Sequence, residues 1–113
     1  MIKDFNLYTE FKELDLYGRY ITNDSIYKLN GIYSYEILGK SINNKPVYYF
    51  KVGSGDKKVL IWSQMHGNES TSTRALFDAL SYFKKLDKKT LLKLSLHIVP
   101  ILNPDGATKY TRE

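Results

Sequence analysis

The residues best suited to chemistry in this chain are His66 and Glu69, in the stretch V-L-I-W-S-Q-M-H-G-N-E-S-T-S-T-R-A-L. They stand three apart, where an apolar run ends and an amphipathic pattern begins. At a strand-to-helix junction that spacing can aim an imidazole nitrogen and a carboxylate at one point, and both groups are suitable ligands for Zn²⁺. Gly67 between them lets the backbone turn sharply. A plainer account also fits: Glu69 in the first turn of a helix, where the dipole favours an acid, and His66 in a loop.

The surrounding elements decide between the two. K-V-L-I-W-S-Q reads as a strand buried on both faces. Residues 69–86 carry Ala75, Leu76, Ala79, Leu80 and Phe83 at helical spacing. L-L-K-L-S-L-H-I-V-P-I-L reads as a second buried strand, broken by N-P-D-G. Strand, helix and strand from 58 to 101 make a βαβ unit, whose strands are parallel and whose crossover is right-handed. Sites in parallel sheets form beyond the carboxyl ends of the strands. M-H-G-N-E leaves one strand at that end and N-P-D-G leaves the other, so the two segments are expected to converge.

Upstream, residues 34–53 read as a β-hairpin turning at N-N-K-P, with a further turn at G-S-G-D. Ile2, Phe5, Tyr8, Phe11 and Leu14 recur every three residues, which predicts a short amphipathic helix. T-N-D-S-I-Y-K-L-N-G predicts a second helix, capped by Asn23 or Asp24 and stopped at Gly31. The expected class is therefore α/β: a partial mixed or parallel sheet with a βαβ crossover and an N-terminal β-hairpin. Residues 1–32 are expected to form an N-terminal helical segment, and 33–113 the sheet-bearing domain.

At 113 residues, 42% hydrophobic and 26% charged, the chain has the size and balance of one small globular domain. Its net charge of +5 comes from scattered lysines, with short pairs such as Lys57-Lys58 and Lys84-Lys85. No alternation of basic and aromatic residues offers a platform for bases, so a solvated surface is expected and no nucleic acid partner. The absence of Cys excludes disulfides and thiolate metal sites. Acids interrupt M-I-K-D-F-N-L-Y-T-E-F-K-E where a signal peptide would be apolar, so a cytoplasmic location is expected. No apolar run approaches the roughly 18 residues that span a bilayer, so no membrane partner is expected. Nothing in the sequence points to an oligomeric state.

H-G-N-E after an apolar strand, then a helix, then I-V-P-I-L-N-P-D-G with Arg112 shortly after, resembles the front part of a zinc metallocarboxypeptidase of the M14 family. The resemblance covers about residues 34–113 and implies an incomplete α/β/α fold. It implies that His66 and Glu69 are two of three zinc ligands. It implies that Arg112 polarises the scissile carbonyl of a peptide substrate and stabilises its oxyanion while zinc-activated water attacks. In that family the third ligand, a His, the general-base Glu and an Asn-Arg pair that grips the terminal carboxylate all come later in the chain. No residue here matches them, so the expectation is the N-terminal part of such a domain, inactive by itself.

His97 lies inside a strand, on the face of Ser95 and Val99, and is expected to be packed rather than a ligand. Arg19 and Arg74 are not expected near the strand end. Asn103, Pro104, Asp105 and Gly106 are expected to shape their loop. Two rival readings are a zinc-dependent deacylase of N-acyl amino acids and a non-enzymatic α/β binding module. Such deacylases also use H-G-N-E after a strand, but N-P-D-G argues for the peptidase branch.

Overall fold

The computed structural model describes residues 8–113. Its frame is a four-stranded sheet in the order β1-β2-β4-β3. Strands β1 (Glu36–Lys40) and β2 (Pro46–Val52) form the expected antiparallel hairpin. Its turn closes through the Ser41 N–H to the Lys45 carbonyl at 2.8 Å, with Asn44 in the left-handed region at φ 64°. Strand β4 (Leu94–Val99) lies antiparallel to β2. On its other side β4 runs parallel to β3 (Lys57–Trp62), in register from Lys57 opposite Leu94 to Trp62 opposite Val99. The crossover between β3 and β4 carries two helices, Thr71–Leu86 and Lys88–Lys93. With the short helix α1 (Asn23–Tyr27) before the sheet, these are α2 and α3, and Pro104–Lys109 after β4 is α4.

The 3.6-residue period of α2 explains its seat. Thr73, Phe77 and Leu80 are buried and Leu76 and Phe83 pack beside them. They meet Phe50 of β2 and Leu96 and Ile98 of β4, with Val59 and Ile61 of β3 packed against the same cluster. Leu16, Ile21, Ile26 and Leu29 join that core, so the N-terminal segment shares it with the sheet. The rings of Tyr33, Phe50 and Phe77 stand 4.7–5.9 Å apart, centroid to centroid. Each fully buried side chain of this size is worth about 1.5–3 kcal/mol relative to leaving it exposed.

Four details differ from expectation, each for a local reason. Strand β3 is not buried on both faces: Leu60 is 63% and Trp62 51% exposed. It is the edge strand, and its alternate residues point to a side where nothing among the described residues buries them. The strand expected from Leu91 begins at Leu94 instead, because Asp87 starts α3 by accepting from the Thr90 N–H at 3.3 Å and the Thr90 hydroxyl at 2.7 Å. A short apolar run does not by itself separate helix from strand.

Helix α1 is capped by Thr22, whose N–H donates to Ser25 Oγ at 3.0 Å, and it ends at Tyr27, short of Gly31. Asn23 spends its side chain on the Pro46 carbonyl of β2 at 2.8 Å. The amphipathic helix expected from Ile2 lies partly outside the described residues. Residues 9–11 form a turn, and Leu14 is 74% exposed. Buried Asp78 of α2 holds this segment, accepting from the Tyr8 hydroxyl and from the Glu13 N–H.

Candidate functional site

The backbone ladder between β3 and β4 continues past both strand ends. The Ser63 N–H donates to the Val99 carbonyl at 3.1 Å, Leu102 to Ser63 at 3.0 Å and Asn103 to Gln64 at 3.2 Å. The two exit segments therefore leave the sheet side by side at its carboxyl edge, as the βαβ order requires. N-P-D-G then opens a helix instead of a loop. Asn103 Oδ1 accepts from the Gly106 N–H at 2.9 Å, and Pro104 occupies the first turn, where a missing N–H is harmless. Asp105 ties this helix to the hairpin turn through Ser41 Oγ at 2.7 Å and the Asn43 N–H at 3.2 Å.

Gly67 brings the first loop against that helix. A Cβ on Gly67 would stand 2.0 Å from the Gly106 carbonyl carbon and 2.3 Å from the Ala107 nitrogen. Beyond α4 the chain doubles back through Tyr110, left-handed at φ 54°, and the Thr111 N–H reaches the Gly106 carbonyl at 2.9 Å. The Arg112 carbonyl then accepts from the Gly67 N–H at 3.3 Å. A backbone bond thus links the H-G-N-E loop to the segment after N-P-D-G.

The side chains follow. One terminal nitrogen of Arg112 donates to Glu69 Oε1 at 2.7 Å, and the other faces His66 Nε2 at 3.2 Å. A guanidinium has donors only, so Nε2 is the acceptor in this contact. The ion pair is open to water, with the Arg112 and Glu69 side chains 61% and 56% exposed, so it contributes about 0–1 kcal/mol. Its importance is directional: a nitrogen lone pair and a carboxylate oxygen are turned toward one positive group. Glu69 stands before the helix, since Ser70 is the N-cap of α2 and Thr71 its first residue. It is therefore not the first-turn acid of the plainer account.

The structure brings together His66, Glu69 and Arg112 from two segments 43 to 46 residues apart. Trp62, Ser63, Met65 and Ser72 line a small hollow of about 150 Å³ with His66 and Glu69. A larger open hollow of about 740 Å³ also borders Glu69, lined by Arg19, Asn68 and Tyr110 among others. Arg19 is thus near the site, contrary to expectation. The Ser70 hydroxyl donates to its carbonyl at 2.7 Å, and Arg74 reaches the Gly18 carbonyl at 3.2 Å, which pins residues 18–19 to the start of α2. Neither contact has a signal in the local sequence. His97 bonds the Tyr49 hydroxyl through Nδ1 at 2.6 Å and stacks on that ring, so its Nδ1 is taken up by packing on the sheet. Among the described residues no group of three or more His, Cys, Asp or Glu could hold a metal ion, so His66 and Glu69 stand as a pair of donors.

Comparison with known proteins gives the family and the fold. The sequence profile of the Peptidase_M14 family, described as zinc carboxypeptidase, matches residues 27–113. No curated protein sequence matches the chain. The fold is similar to that of a metallo-carboxypeptidase from Burkholderia cenocepacia, with TM-score 0.69 and 22% identity over 82% of this chain and 30% of that one. A Pseudomonas aeruginosa metallo-carboxypeptidase, in complex with (2-guanidinoethylmercapto)succinic acid, gives 0.64 and 20% over 82% and 28%. Bovine thrombin-activatable fibrinolysis inhibitor, in complex with tick carboxypeptidase inhibitor, gives 0.62 and 17% over 87% and 34%. The chain thus spans about a third of the length of these structures. With its strands, its H-G-N-E and N-P-D-G segments and most of its length inside the family profile, the chain belongs to the zinc carboxypeptidase family.

Proposed function

We propose that His66 and Glu69 are zinc ligands of a carboxypeptidase centre, and that Arg112 binds the carbonyl oxygen of a peptide cleaved at its C-terminal residue. The observation that carries this reading is the convergence of His66 Nε2 and Glu69 Oε1 on one cation, the Arg112 guanidinium, at 3.2 and 2.7 Å. An imidazole nitrogen and a carboxylate oxygen are donors that zinc takes. Their lone pairs already face a positive charge, so the residues present fit the metal as part of its ligand set.

Bound zinc supplies a Lewis acid and a water of lowered pKa. The chain's own residues do the rest. His66 offers Nε2 as a ligand atom, and Glu69 offers a carboxylate oxygen. The Arg112 guanidinium supplies donors only, and its backbone is held by the Gly67 N–H. Its exposed side chain is free to turn from the two ligands to a substrate carbonyl, where its N–H groups stabilise charge as it builds.

Catalytic zinc sites use three protein ligands, and this pair offers two. These 113 residues are therefore expected to bind zinc weakly and to hydrolyse no peptide alone. Titration calorimetry with ZnCl₂, on the wild type and His66→Ala, tests the ligand assignment, with weak binding expected only in the wild type. Equal heats from both proteins would remove His66 from the metal site. Release of a C-terminal amino acid by the wild type, lost in His66→Ala, would show that the centre is more complete than proposed.

A further inference from the structure

Gln64 is 2% exposed and lies between the end of β3 and His66. Its backbone is left-handed, at φ 52°. That region is strained for a residue with a β-carbon, and buried outliers of this kind cluster at functional sites. The side chain explains why the strain persists. Nε2 donates to the Ile21 carbonyl at 2.7 Å and to the Gly67 carbonyl at 2.9 Å. Oε1 accepts from the hydroxyl of fully buried Thr73 at 2.8 Å. The Gln64 carbonyl accepts from the Asn103 N–H.

One residue thus joins four pieces: the N-terminal segment, the H-G-N-E loop, the first turn of α2 and the exit of β4. A primary amide, with two donors and an acceptor, matches this set. Glutamate would keep the acceptor and lose both donors.

We infer that Gln64 is a positioning residue, which sets His66 and Glu69 at their separation by holding the Gly67 carbonyl from beneath. The inference rests on the proposed metal site, but its first readout needs no metal. Hydrogen exchange of the Gly67, Asn68 and Glu69 amides by NMR is compared in wild type, Gln64→Gly and Gln64→Glu. Zinc affinity is measured on the same proteins. Gln64→Gly accepts the left-handed backbone without strain and removes the side chain with its bonds, while Gln64→Glu keeps the side chain's size and loses both donors.

Both variants are expected to keep the core amide pattern while loop exchange rises at least about tenfold and zinc affinity falls about tenfold, as for other residues that orient ligands. Loop exchange equal to wild type in either variant would overturn the inference. So would a rise shared equally by the core amides. If Gln64→Gly does not fold, Gln64→Met keeps the length of the side chain and removes both donors, and unchanged loop exchange there would be equally fatal. A wild type that binds no zinc would defeat the metal reading, while the exchange comparison would still decide the role of Gln64.

Discussion

Gly67 meets the backbone of α4 more closely than any side chain allows. Its neighbours there are main-chain atoms of Gly106 and Ala107. They cannot swing aside as a flexible side chain would. Gly67→Ala is therefore expected to destabilise the fold by about 1–3 kcal/mol, the usual effect of overpacking. Thermal unfolding would show this as a fall of roughly 4–8 °C per kcal/mol for a domain near this size. A midpoint within a degree of wild type would mean that the two loops part easily. At this scale the meeting of the His66–Glu69 segment with the one after N-P-D-G was legible from the strand order, while Arg112 entered through the family resemblance. The nearness of Arg19 was not, since it depends on the Ser70 hydroxyl meeting a carbonyl 51 positions away. Gln64 was hidden for a similar reason: in sequence it reads only as the last residue of an apolar strand.

Between α1 and the hairpin, aromatic residues do the joining. Tyr35 donates to the Ile26 carbonyl at 2.8 Å, and the rings of Tyr33 and Tyr35 both pack on Phe50. Burial, which disfavours the phenolate, pushes the Tyr33 hydroxyl up to about 12 and raises Tyr35 as well. Nearby Glu13 adds to both shifts. Both folded values lie above the ordinary 10.0, so the fold favours the neutral phenols. For Tyr33 that contribution is complete below pH 10 and is lost as pH rises through about 12. Near-UV circular dichroism should therefore fade across that window, together with the rise of phenolate absorbance. Replacing both tyrosines with Phe should move the loss to higher pH, and an unmoved transition would sink this account.

The elements themselves were largely readable: the hairpin, β3, α2 and β4 follow from period and turn chemistry. Two readings failed where local pattern is ambiguous. The Leu91-Leu92 pair fits helix and strand alike, and Asp87 decides the matter through Thr90. N-P-D-G signals a turn and also the start of a helix, and Asn103 selects the helix.

At the scale of the molecule, among the described residues, the sheet has one well-filled side. Phe50, Leu96 and Ile98 face α2, while Leu60, Trp62 and nearby Met65 are each more than half exposed along the β3 edge. The sequence could not announce this, because an apolar run looks the same whether one face or both are covered. An open edge with apolar residues invites pairing between chains. Sedimentation velocity should show association that grows with concentration. Leu60→Lys with Trp62→Thr should reduce it without disturbing the core, and equal association in the variant would rule this edge out as the cause.

Trp62 is the single tryptophan of the chain. It borders the hollow shared by His66 and Glu69 and stands half in water. The protein therefore has a built-in fluorophore at its most informative position. Covering of the β3 edge would turn its emission toward the blue, and changes at the two-loop centre would alter its intensity, so both can be followed optically without attaching a dye.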